Sequence, residues 1–219
     1  MINILYIENK EQLSTELTDC VERLIGPNEK GKASRYRRFQ DKQAYLLGKV
    51  LLARQLENSG YSPELLKCLS YTEFNRPFID CIEADFNISH SGEYVICAFS
   101  VSQVVGVDIE KIQPVNYNDF NNILNANDNS TIENAPDANH AFFKIWSAKE
   151  AILKADGCGL VDDIYKLEIN SNKGIFNKKL YYLRELEISP LYSSCIASSS
   201  PIENLAVKKM SLTNCLPNL

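Results

Sequence analysis

Two apolar, β-rich runs in the middle of the chain constrain its fold more than any other feature. YVICAFSV covers residues 94–101 and VVGVDIEKI covers residues 104–112, with only Ser102 and Gln103 between them. Runs of this length and composition are typical of buried strands. We predict that the two strands pair as a β-hairpin across this short connection.

Helical and strand-like patterns surround these runs without a regular βαβ rhythm. Apolar periodicity predicts one helix over about residues 37–57 and another over about 139–155, ended by Gly60 and Gly157. INILYI at the start, and the alternating segments after residue 165, are typical of strands, the later ones antiparallel. Residues 113–139 are rich in Asn, Asp and Pro and predict a long loop with one or two short helices. This mixture indicates an α+β fold.

Composition excludes several classes of protein. The chain has 219 residues, 45% apolar and 23% charged, which is ordinary for one globular domain or two small ones. The first residues lack the features of a signal peptide, and no apolar run reaches the roughly 18 residues that span a bilayer, so we expect a cytoplasmic protein without membrane contact. A net charge of -5 argues against nucleic acid as a general partner.

Cysteine usage fits a reducing compartment. The seven cysteines are an odd number and none is spaced as CxxC, so neither a disulfide framework nor a zinc site is indicated. They are Cys20, Cys68, Cys81, Cys97, Cys158, Cys195 and Cys215.

One basic segment departs from the acidic average of the chain. Its six cations fall within thirteen residues: Lys30, Lys32, Arg35, Arg37, Arg38 and Lys42. The commoner explanation of such a cluster is a solvated helix start. The alternative is a pocket for an anion.

Two carboxylates share one face of the second strand. Side chains alternate along a strand, so Asp108 and Glu110 point the same way with backbones about 7 Å apart, and Ile109 points to the other face. Two acids side by side repel each other unless a cation lies between them. A hard divalent cation such as Mg²⁺ would do this, whereas a frayed strand end in solvent would need no cation.

A charged pair and an isolated histidine are further candidates. Glu150 and Lys154 are four residues apart on the predicted helix, beneath Trp146, so they form either a surface salt bridge or a metal ligand beside a phosphate-binding lysine. His90 lies in the polar segment Asn-Ile-Ser-His-Ser-Gly (87–92), where the backbone can approach an anion. A single histidine is more often structural than catalytic.

Taken together, these segments resemble the 4'-phosphopantetheinyl transferases, specifically the larger, surfactin-synthetase-activating type. The resemblance is carried by DFNISHSGEYVICAF (85–99), VGVDIEKI (105–112) and FFKIWSAKEAILKADGCGL (142–160), in the family's order and at about its spacing. RYRRF with the following LLGKVLLAR, and the Arg-Pro turn at 76–77, support it.

The resemblance implies a fold and a reaction. The fold would be a pseudo-dimer of two similar α/β halves, residues 1–102 and 103–219, with the active site in the cleft between them. The reaction would transfer 4'-phosphopantetheine from coenzyme A to a serine of an apo acyl or peptidyl carrier protein. Mg²⁺ would be the cofactor, and the chain would act as a monomer.

The resemblance also implies roles for individual residues. Asp108, Glu110 and Glu150 would hold Mg²⁺, Glu150 would be the general base, and Lys154 would neutralise the leaving nucleotide. The phosphates of coenzyme A would contact Ser89 and His90, with Lys149 and Lys154 beside them. Asp108 would bind coenzyme A through the metal, and Arg76 would lie near the adenine. An acidic carrier would dock on residues 113–139, with Phe120, Ile123 and Leu124 as its apolar contacts, and on the strip after Gly157.

Three departures from the family pattern qualify these roles. The usual Gly-Lys-Pro of the adenine turn is Asn-Arg-Pro here, at residues 75–77. An arginine that binds phosphate early in the first long helix is replaced in the region of Gln40–Ala44, so Arg38 or Lys42 would take over the 3'-phosphate. The FFSxxE stretch that follows the metal strand becomes LNAND (124–128).

Two rival functions remain at the sequence level. A catalytically inactive relative would bind coenzyme A or a carrier protein without transfer, but all three carboxylates and Lys154 are present. Another metal-dependent phosphate enzyme, such as a phosphodiesterase, would account for the acids but not for the whole ordered set of motifs.

Overall fold

The computed structural model describes residues 1–120, 122–159 and 162–212. Cys215 and residues 160–161 of the strip after Gly157 lie outside this part. Helices and strands are mixed, as the predicted α+β class requires. The helices are α1 (Thr15–Leu24), α2 (Pro27–Ala33), α3 (Phe39–Asn58), α4 (Ala126–Glu133) and α5 (Ala138–Asp156), with 3₁₀ turns at Pro63–Cys68, Tyr117–Phe120 and Asp162–Lys166.

The strands form two main sheets and one small ribbon. The first sheet has the order β11 (Leu205–Met210), β1 (Ile2–Glu8), β5 (Tyr94–Ser100), β4 (Asp85–Ser91). The second has the order β6 (Val105–Lys111), β10 (Tyr192–Ser198), β9 (Lys179–Glu185), β8 (Lys173–Phe176), β7 (Glu168–Asn170). β2 (Ser70–Tyr71) and β3 (Pro77–Phe78) form the ribbon.

The core lies in three layers because strand residues alternate between faces. One face of the first sheet packs against α3, where Leu47 and Leu51 are fully buried beside Phe99. One face of the second sheet packs against α5 in the same way. The remaining faces pack against each other, and Ile4 and Val107 belong to this shared apolar layer. The molecule is therefore built as helix, sheet, sheet and helix.

The predicted hairpin between residues 94–101 and 104–112 is wrong. β5 lies between β1 and β4 in the first sheet, whereas β6 pairs with β10 in the second. The real hairpin joins β4 to β5 through Gly92 and Glu93, and Gly92 adopts the positive φ that this turn requires. The chain leaves one sheet at Ser100 and enters the other at Val105.

The C-terminal strands are antiparallel as predicted, with one exception. β7 to β10 pair antiparallel in the second sheet. The last strand, β11, instead pairs in parallel with β1, with Ile2 opposite Leu205, and so belongs to the first sheet. The prediction that this strand is antiparallel is wrong, because its partner is the most distant strand in the chain rather than its neighbour.

The two sheets are joined along β4 and β6 by side chains instead of a strand ladder. The N–H groups of Val105 and Val107 donate to the side chains of Asp85 and Asn87, at 2.7 and 3.1 Å. The N–H of Lys111 donates to Ser91 Oγ at 3.1 Å. Each pair is 20 residues apart, so the two strands run parallel. We call this contact the β4–β6 seam.

Gly106 lets α5 lie directly on β6. A Cβ atom at this position would lie 2.2 Å from the carbonyl oxygen of Ala151 and 2.3 Å from the nitrogen of Ala155. Both are backbone atoms, so they cannot turn aside as a side chain would. Only glycine permits this approach of helix to strand.

Gly106→Ala should therefore destabilise the protein by roughly 1–3 kcal/mol or more, because the methyl group overlaps the α5 backbone. Urea unfolding followed by circular dichroism measures the change. Gly31→Ala is the matched control, since a Cβ there meets nothing within 4 Å and lies in α2. It should stabilise the protein by about 0.4–1 kcal/mol. Equal stability of Gly106→Ala and the wild type would contradict the close approach.

A buried ion pair holds α2 against α3. Glu29 and Lys49 lie 2.7 Å apart and their side chains are 2% and 5% exposed. The hydroxyls of Tyr45 and Tyr71 donate to the same carboxylate at 2.6 and 2.7 Å. Burial raises the pKa of Glu29, but Lys49 and the two tyrosines outweigh it and lower the pKa to about 2.

This ion pair should make the free energy of unfolding depend on pH. A carboxyl whose pKa is lowered on folding stabilises the protein above its unfolded pKa and loses that contribution as pH falls through the folded pKa. The free-energy difference between wild type and Glu29→Gln should be on the order of 3 kcal/mol near pH 6 and shrink towards pH 2. Urea titrations at several pH values measure it. Glu64→Gln, in the exposed pair with Lys67, should change stability by less than about 0.5 kcal/mol at every pH.

Candidate active site

The even-numbered residues of β6 carry the acidic side chains to the α5 side of the second sheet. Gly106, Asp108 and Glu110 alternate with apolar residues of the layer between the sheets, as strand geometry requires. Asp108 is 2% exposed, and Glu110 at the strand end is partly buried. The prediction that both acids share one face of a buried strand is confirmed.

Lys154 of α5 reaches Asp108 at the β4–β6 seam. Its Nζ lies 2.5 Å from Asp108 Oδ1 and donates to Ser89 Oγ at 2.9 Å. The Ser89 hydroxyl donates to the same Asp108 oxygen at 2.9 Å. One strand from each sheet, β4 and β6, and the helix α5 therefore meet at one charged cluster.

Glu110 is held by two donors. Ser91 Oγ donates to Oε2 at 2.9 Å, and the indole Nε1 of Trp146 donates to Oε1 at 3.3 Å. Burial and the charge of Asp108 raise the pKa of Glu110, while these donors and Lys154 partly oppose the rise. Trp146 thus connects the aromatic stripe of α5 to the acidic cluster.

Glu150 completes the acidic cluster from α5. Burial raises its pKa, Lys154 opposes this, and the charges of Asp108 and Glu110 raise it further. Glu150 Oε1 and Asp108 Oδ2 are both buried without a hydrogen-bond partner. Buried carboxylate oxygens are costly to leave unpaired, so an arrangement of this kind favours a bound cation or donor.

The oxygen donors suit a hard divalent cation, which carboxylates bind well. In the present arrangement the ammonium of Lys154 balances Asp108 directly. Across residues 1–120, 122–159 and 162–212, no three His, Cys, Asp or Glu side chains are close enough to form a ready-made metal site. The two unpaired oxygens are the observation that fits a metal here.

His90 lies at the surface at the end of β4, next to Ser89. Partial burial of the ring and the charge of Lys154 lower the pKa of His90, whereas Asp41 and Asp108 oppose the change. Asp41 belongs to the first turn of α3, so His90 lies between the start of α3 and the acidic cluster. A neutral histidine here can accept or donate a hydrogen bond without adding charge.

The two residues predicted for the 3'-phosphate lie at the start of α3. Arg38 is the exposed N-cap residue of this helix. Lys42 is partly buried, and its Nζ lies 3.2 Å from Glu22 Oε1 of α1. These positions do not test the predicted binding of the 3'-phosphate, which stays a prediction.

Lys149 does not join the cluster, and the prediction that it lies beside the phosphate site is corrected here. Its side chain is fully buried and pairs with Asp128 at 2.6 Å. It also donates to the carbonyl of Ile123 at 2.8 Å. Adjacent helical residues point about 100° apart, so Glu150 can face β6 while Lys149 faces α4. Lys149 therefore holds the segment before α4 against α5.

Two departures from the family pattern have local structural explanations. Asn75 adopts a φ of 61°, a left-handed conformation that asparagine tolerates better than most residues, so it can replace the glycine of this turn. Asn125 and Asp128 form a capping box at the start of α4, each side chain accepting from the other's backbone N–H. The Asn-x-x-Asp sequence thus performs the helix-starting role for which Ser-x-x-Glu is suited.

The predicted apolar contacts for a carrier lie mainly in the core. Ile123 and Leu124 are 7% and 3% exposed, and Phe120 packs against the ring of Phe142 at 5.0 Å between centroids. A triple substitution at these positions would disturb the fold rather than a docking surface. The burial of Ile123 and Leu124 contradicts the prediction that they receive the carrier, whereas the role of the partly exposed Phe120 stays a prediction.

The sequence interpretation overlooked the roles of three polar residues of β4. Asn87 and Ser91 support β6, and Asp85 pairs with Arg76. Their signal was present, since four polar residues at 85, 87, 89 and 91 repeat with a period of two beside an apolar sequence. Such a stripe indicates a strand face that is polar and still buried.

Comparison with known proteins bears on both halves of the chain. Residues 12–102 match the family model for the 4'-phosphopantetheinyl transferase N-terminal region, and residues 104–196 match that for the 4'-phosphopantetheinyl transferase superfamily. The first match ends and the second begins on either side of residue 103. No helix in the described ranges has the length and apolar character needed to span a membrane.

Several curated relatives extend over most of the chain. The chain is 28% identical to the 4'-phosphopantetheinyl transferase Sfp of Bacillus subtilis over 199 residues, which are 86% of this chain and 88% of that protein. It is 26% identical to the 4'-phosphopantetheinyl transferase gsp of Aneurinibacillus migulanus over 219 residues, 96% and 92% of the two chains. A putative 4'-phosphopantetheinyl transferase of Haemophilus influenzae is 33% identical over 128 residues, 56% and 54% of the two chains.

Because the two matched regions follow each other along the chain and the relatives cover nearly all of it, this protein belongs to the 4'-phosphopantetheinyl transferase family, of the Sfp type.

Proposed function

We propose that this chain transfers the 4'-phosphopantetheine group of coenzyme A to a serine of an apo acyl or peptidyl carrier protein. The second product is adenosine 3',5'-bisphosphate. The observation that carries the proposal is the cluster of Asp108, Glu110, Glu150 and Lys154, with two unpaired buried oxygens. Family membership supplies the reaction, and the cluster contains the groups that this reaction needs.

We place the active site in the cleft between two similar halves, residues 1–102 and 103–219, with β11 returning to the first sheet. The similarity of the halves is supported by their construction, since each is a sheet packed against one long helix, α3 or α5. The position of the cleft is supported by the β4–β6 seam, where both halves contribute polar side chains. A monomeric state and a cytoplasmic location stay predictions.

Asp108, Glu110 and Glu150 would hold Mg²⁺, which would supply positive charge to the pyrophosphate of coenzyme A. Lys154 would neutralise charge on the leaving nucleotide, which is supported by the position of its ammonium within the cluster. Ser89 and His90 would contact the phosphates from the other side of the seam. Arg38 or Lys42 would bind the 3'-phosphate at the start of α3.

Glu150 is the proposed general base. The serine oxygen of the carrier attacks the phosphorus that bears the pantetheine arm, and the bond from that phosphorus to the bridging oxygen breaks. Glu150 accepts the serine proton, directly or through one water, and the electron pair leaves on the bisphosphate. A carboxylate can act as this base when the carrier serine is held within hydrogen-bond reach of it.

Replacing this base should abolish most of the activity. Glu150→Gln keeps the shape of the side chain but cannot accept the proton, so the transfer rate should fall by about 10²–10⁴-fold. Intact-protein mass spectrometry of an apo carrier incubated with enzyme, coenzyme A and Mg²⁺ measures the added arm. Glu64→Gln, at an exposed position outside the predicted docking segment, is the matched control and should transfer at the wild-type rate.

The same experiment separates the rival function. If Glu150→Gln retained the wild-type rate, Glu150 would not be the base. If the wild type gave no mass gain on carriers from fatty-acid, polyketide and peptide synthetases, while still binding coenzyme A, the inactive binding relative would replace this proposal.

The proposed metal site predicts that the affinity for coenzyme A depends on Mg²⁺, which can be measured without any transfer reaction. Mg²⁺ should tighten coenzyme A binding to the wild type by about tenfold or more, because it offsets repulsion between pyrophosphate and the three carboxylates. Glu110→Gln can still accept from Trp146 through its amide oxygen and can donate its amide N–H to Ser91 Oγ, but it should lose most of this Mg²⁺ effect. Calorimetric titration with coenzyme A, with Mg²⁺ or with chelator, gives both values. Equal affinities with and without Mg²⁺ would contradict the metal site.

A further inference from the structure

Arg76 extends from the β2–β3 turn into the β4–β6 seam. The turn is fixed locally, since the N–H of Arg76 donates to Thr72 Oγ1 at 3.1 Å and the N–H of Thr72 donates to the carbonyl of Arg76 at 2.9 Å. The guanidinium is mostly buried, with 15% of the side chain exposed. The β2–β3 ribbon thus places the planar guanidinium of Arg76 at the junction of the two sheets.

The guanidinium forms a two-pronged pair with Asp85 of β4. Its Nη1 and Nη2 donate to the two carboxylate oxygens of Asp85 at 3.0 and 2.7 Å. Paired bonds of this geometry are among the strongest that side chains form, and a lysine cannot reproduce them. Asp85 in turn accepts from the N–H of Val105 at 2.7 Å.

The same guanidinium also binds two backbone carbonyls of the second half. Nη2 donates to the carbonyl of Val105 at 3.0 Å, and Nε donates to the carbonyl of Lys154 at 2.8 Å. The first residue of β6 is therefore held through both its N–H and its carbonyl. The carbonyl of Lys154 belongs to the last turn of α5, where carbonyls lack helical partners and a positive charge is favourable.

The surrounding residues make room for this contact. Gly157 ends α5 in a left-handed conformation, and a Cβ there would lie 2.9 Å from Cδ of Arg76. The glycine thus serves both the helix end and the passage of the arginine side chain. Arg76 contacts the backbone of Lys154, and the side chain of Lys154 reaches Asp108 and Ser89.

We propose that Arg76, paired with Asp85, is a positioning residue that holds the end of α5 and the start of β6 in register with β4. It acts on the reaction through Lys154 and Asp108 and not by touching the substrate. This inference rests on the transferase function proposed above. It differs from the role that family resemblance implies for this turn, which is a contact near the adenine of coenzyme A.

The test compares steady-state transfer by Arg76→Lys, Asp85→Asn and the double variant. Arg76→Lys keeps the charge, but its ammonium cannot form the planar two-pronged pair with Asp85 together with the bonds to both carbonyls. Asp85→Asn keeps an oxygen for the N–H of Val105. Each should lower kcat about tenfold or more, because small displacements of charged groups in an active site are costly. The KM for coenzyme A should change less than about threefold, since no substrate contact is lost.

The double variant and the stability measurements separate positioning from folding. If the two residues act as one unit, the double variant should lose no more kcat than the worse single variant. All rates are measured at a temperature where circular dichroism shows each variant fully folded, so loss of folded protein does not contribute. Arg23→Lys, an exposed arginine on α1, is the control and should leave kcat and KM unchanged.

Several results would overturn the proposal. A tenfold or greater rise in the KM for coenzyme A in Arg76→Lys, with kcat retained, would show that Arg76 contacts the nucleotide. Wild-type kcat in both single variants would show that the bonds do not position the cluster. If Arg76→Lys does not fold, Asp85→Asn decides alone. An inactive wild type, in contrast, would refute the transferase function and would be seen before any variant is compared.

Discussion

The β4–β6 seam is the contact on which the rest of the structure depends. A sheet edge normally exposes N–H groups that another strand would satisfy. Here polar side chains of β4 accept those of β6, so two edges close against each other without merging into one sheet. The parallel course of the two strands also sets Ser89 beside Asp108 and Ser91 beside Glu110, each pair 19 residues apart. The register of the seam is therefore also the register of the site.

The charges of the site are stable only because their surroundings compensate for them. Burial raises the pKa of both Glu110 and Glu150, which is the expected cost of placing acids in a poorly hydrated place. Lys154 offsets part of this cost and leaves two oxygens unpaired. Lys149 shows the alternative outcome, since it is buried with one carboxylate and two carbonyls around it and has no capacity left for a ligand. Helix α5 thus carries two different lysines: Lys149, which is surrounded by acceptors, and Lys154, which lies within the acidic cluster.

Local periodicity predicted α3, α5 and the main strands, but it missed α1 and α2 and did not give the pairing of strands. Alternation placed Asp108 and Glu110 on one face, and helical spacing placed Glu150 and Lys154 together beneath Trp146, because both rules act within one element. The hairpin was wrong because the local partner of β5 is β4, and β6 pairs with β10, whose residues lie 81 to 93 positions further along the chain, where no local pattern reaches. The prediction for Lys149 failed because Lys149 is next to Glu150 in the sequence, whereas neighbouring residues of a helix point about 100° apart. The sequence did not show that Ile123 and Leu124 are buried, because their burial comes from packing against α5.

The seam also explains why the two halves of the chain form one functional unit. The charged residues Asp108, Glu110, Glu150 and Lys154 all belong to the second half, and the first half contributes Ser89 and Ser91 of β4, which donate to Asp108 and Glu110. The shared apolar layer holds the sheets face to face, yet apolar packing tolerates small sliding and does not define a register. Directional bonds do define one, and those of Arg76 and Asp85 lie where β4, β6 and α5 all come within reach of a single guanidinium. Apolar burial thus provides the stability of the assembly, and the buried polar contacts determine which residues meet in it.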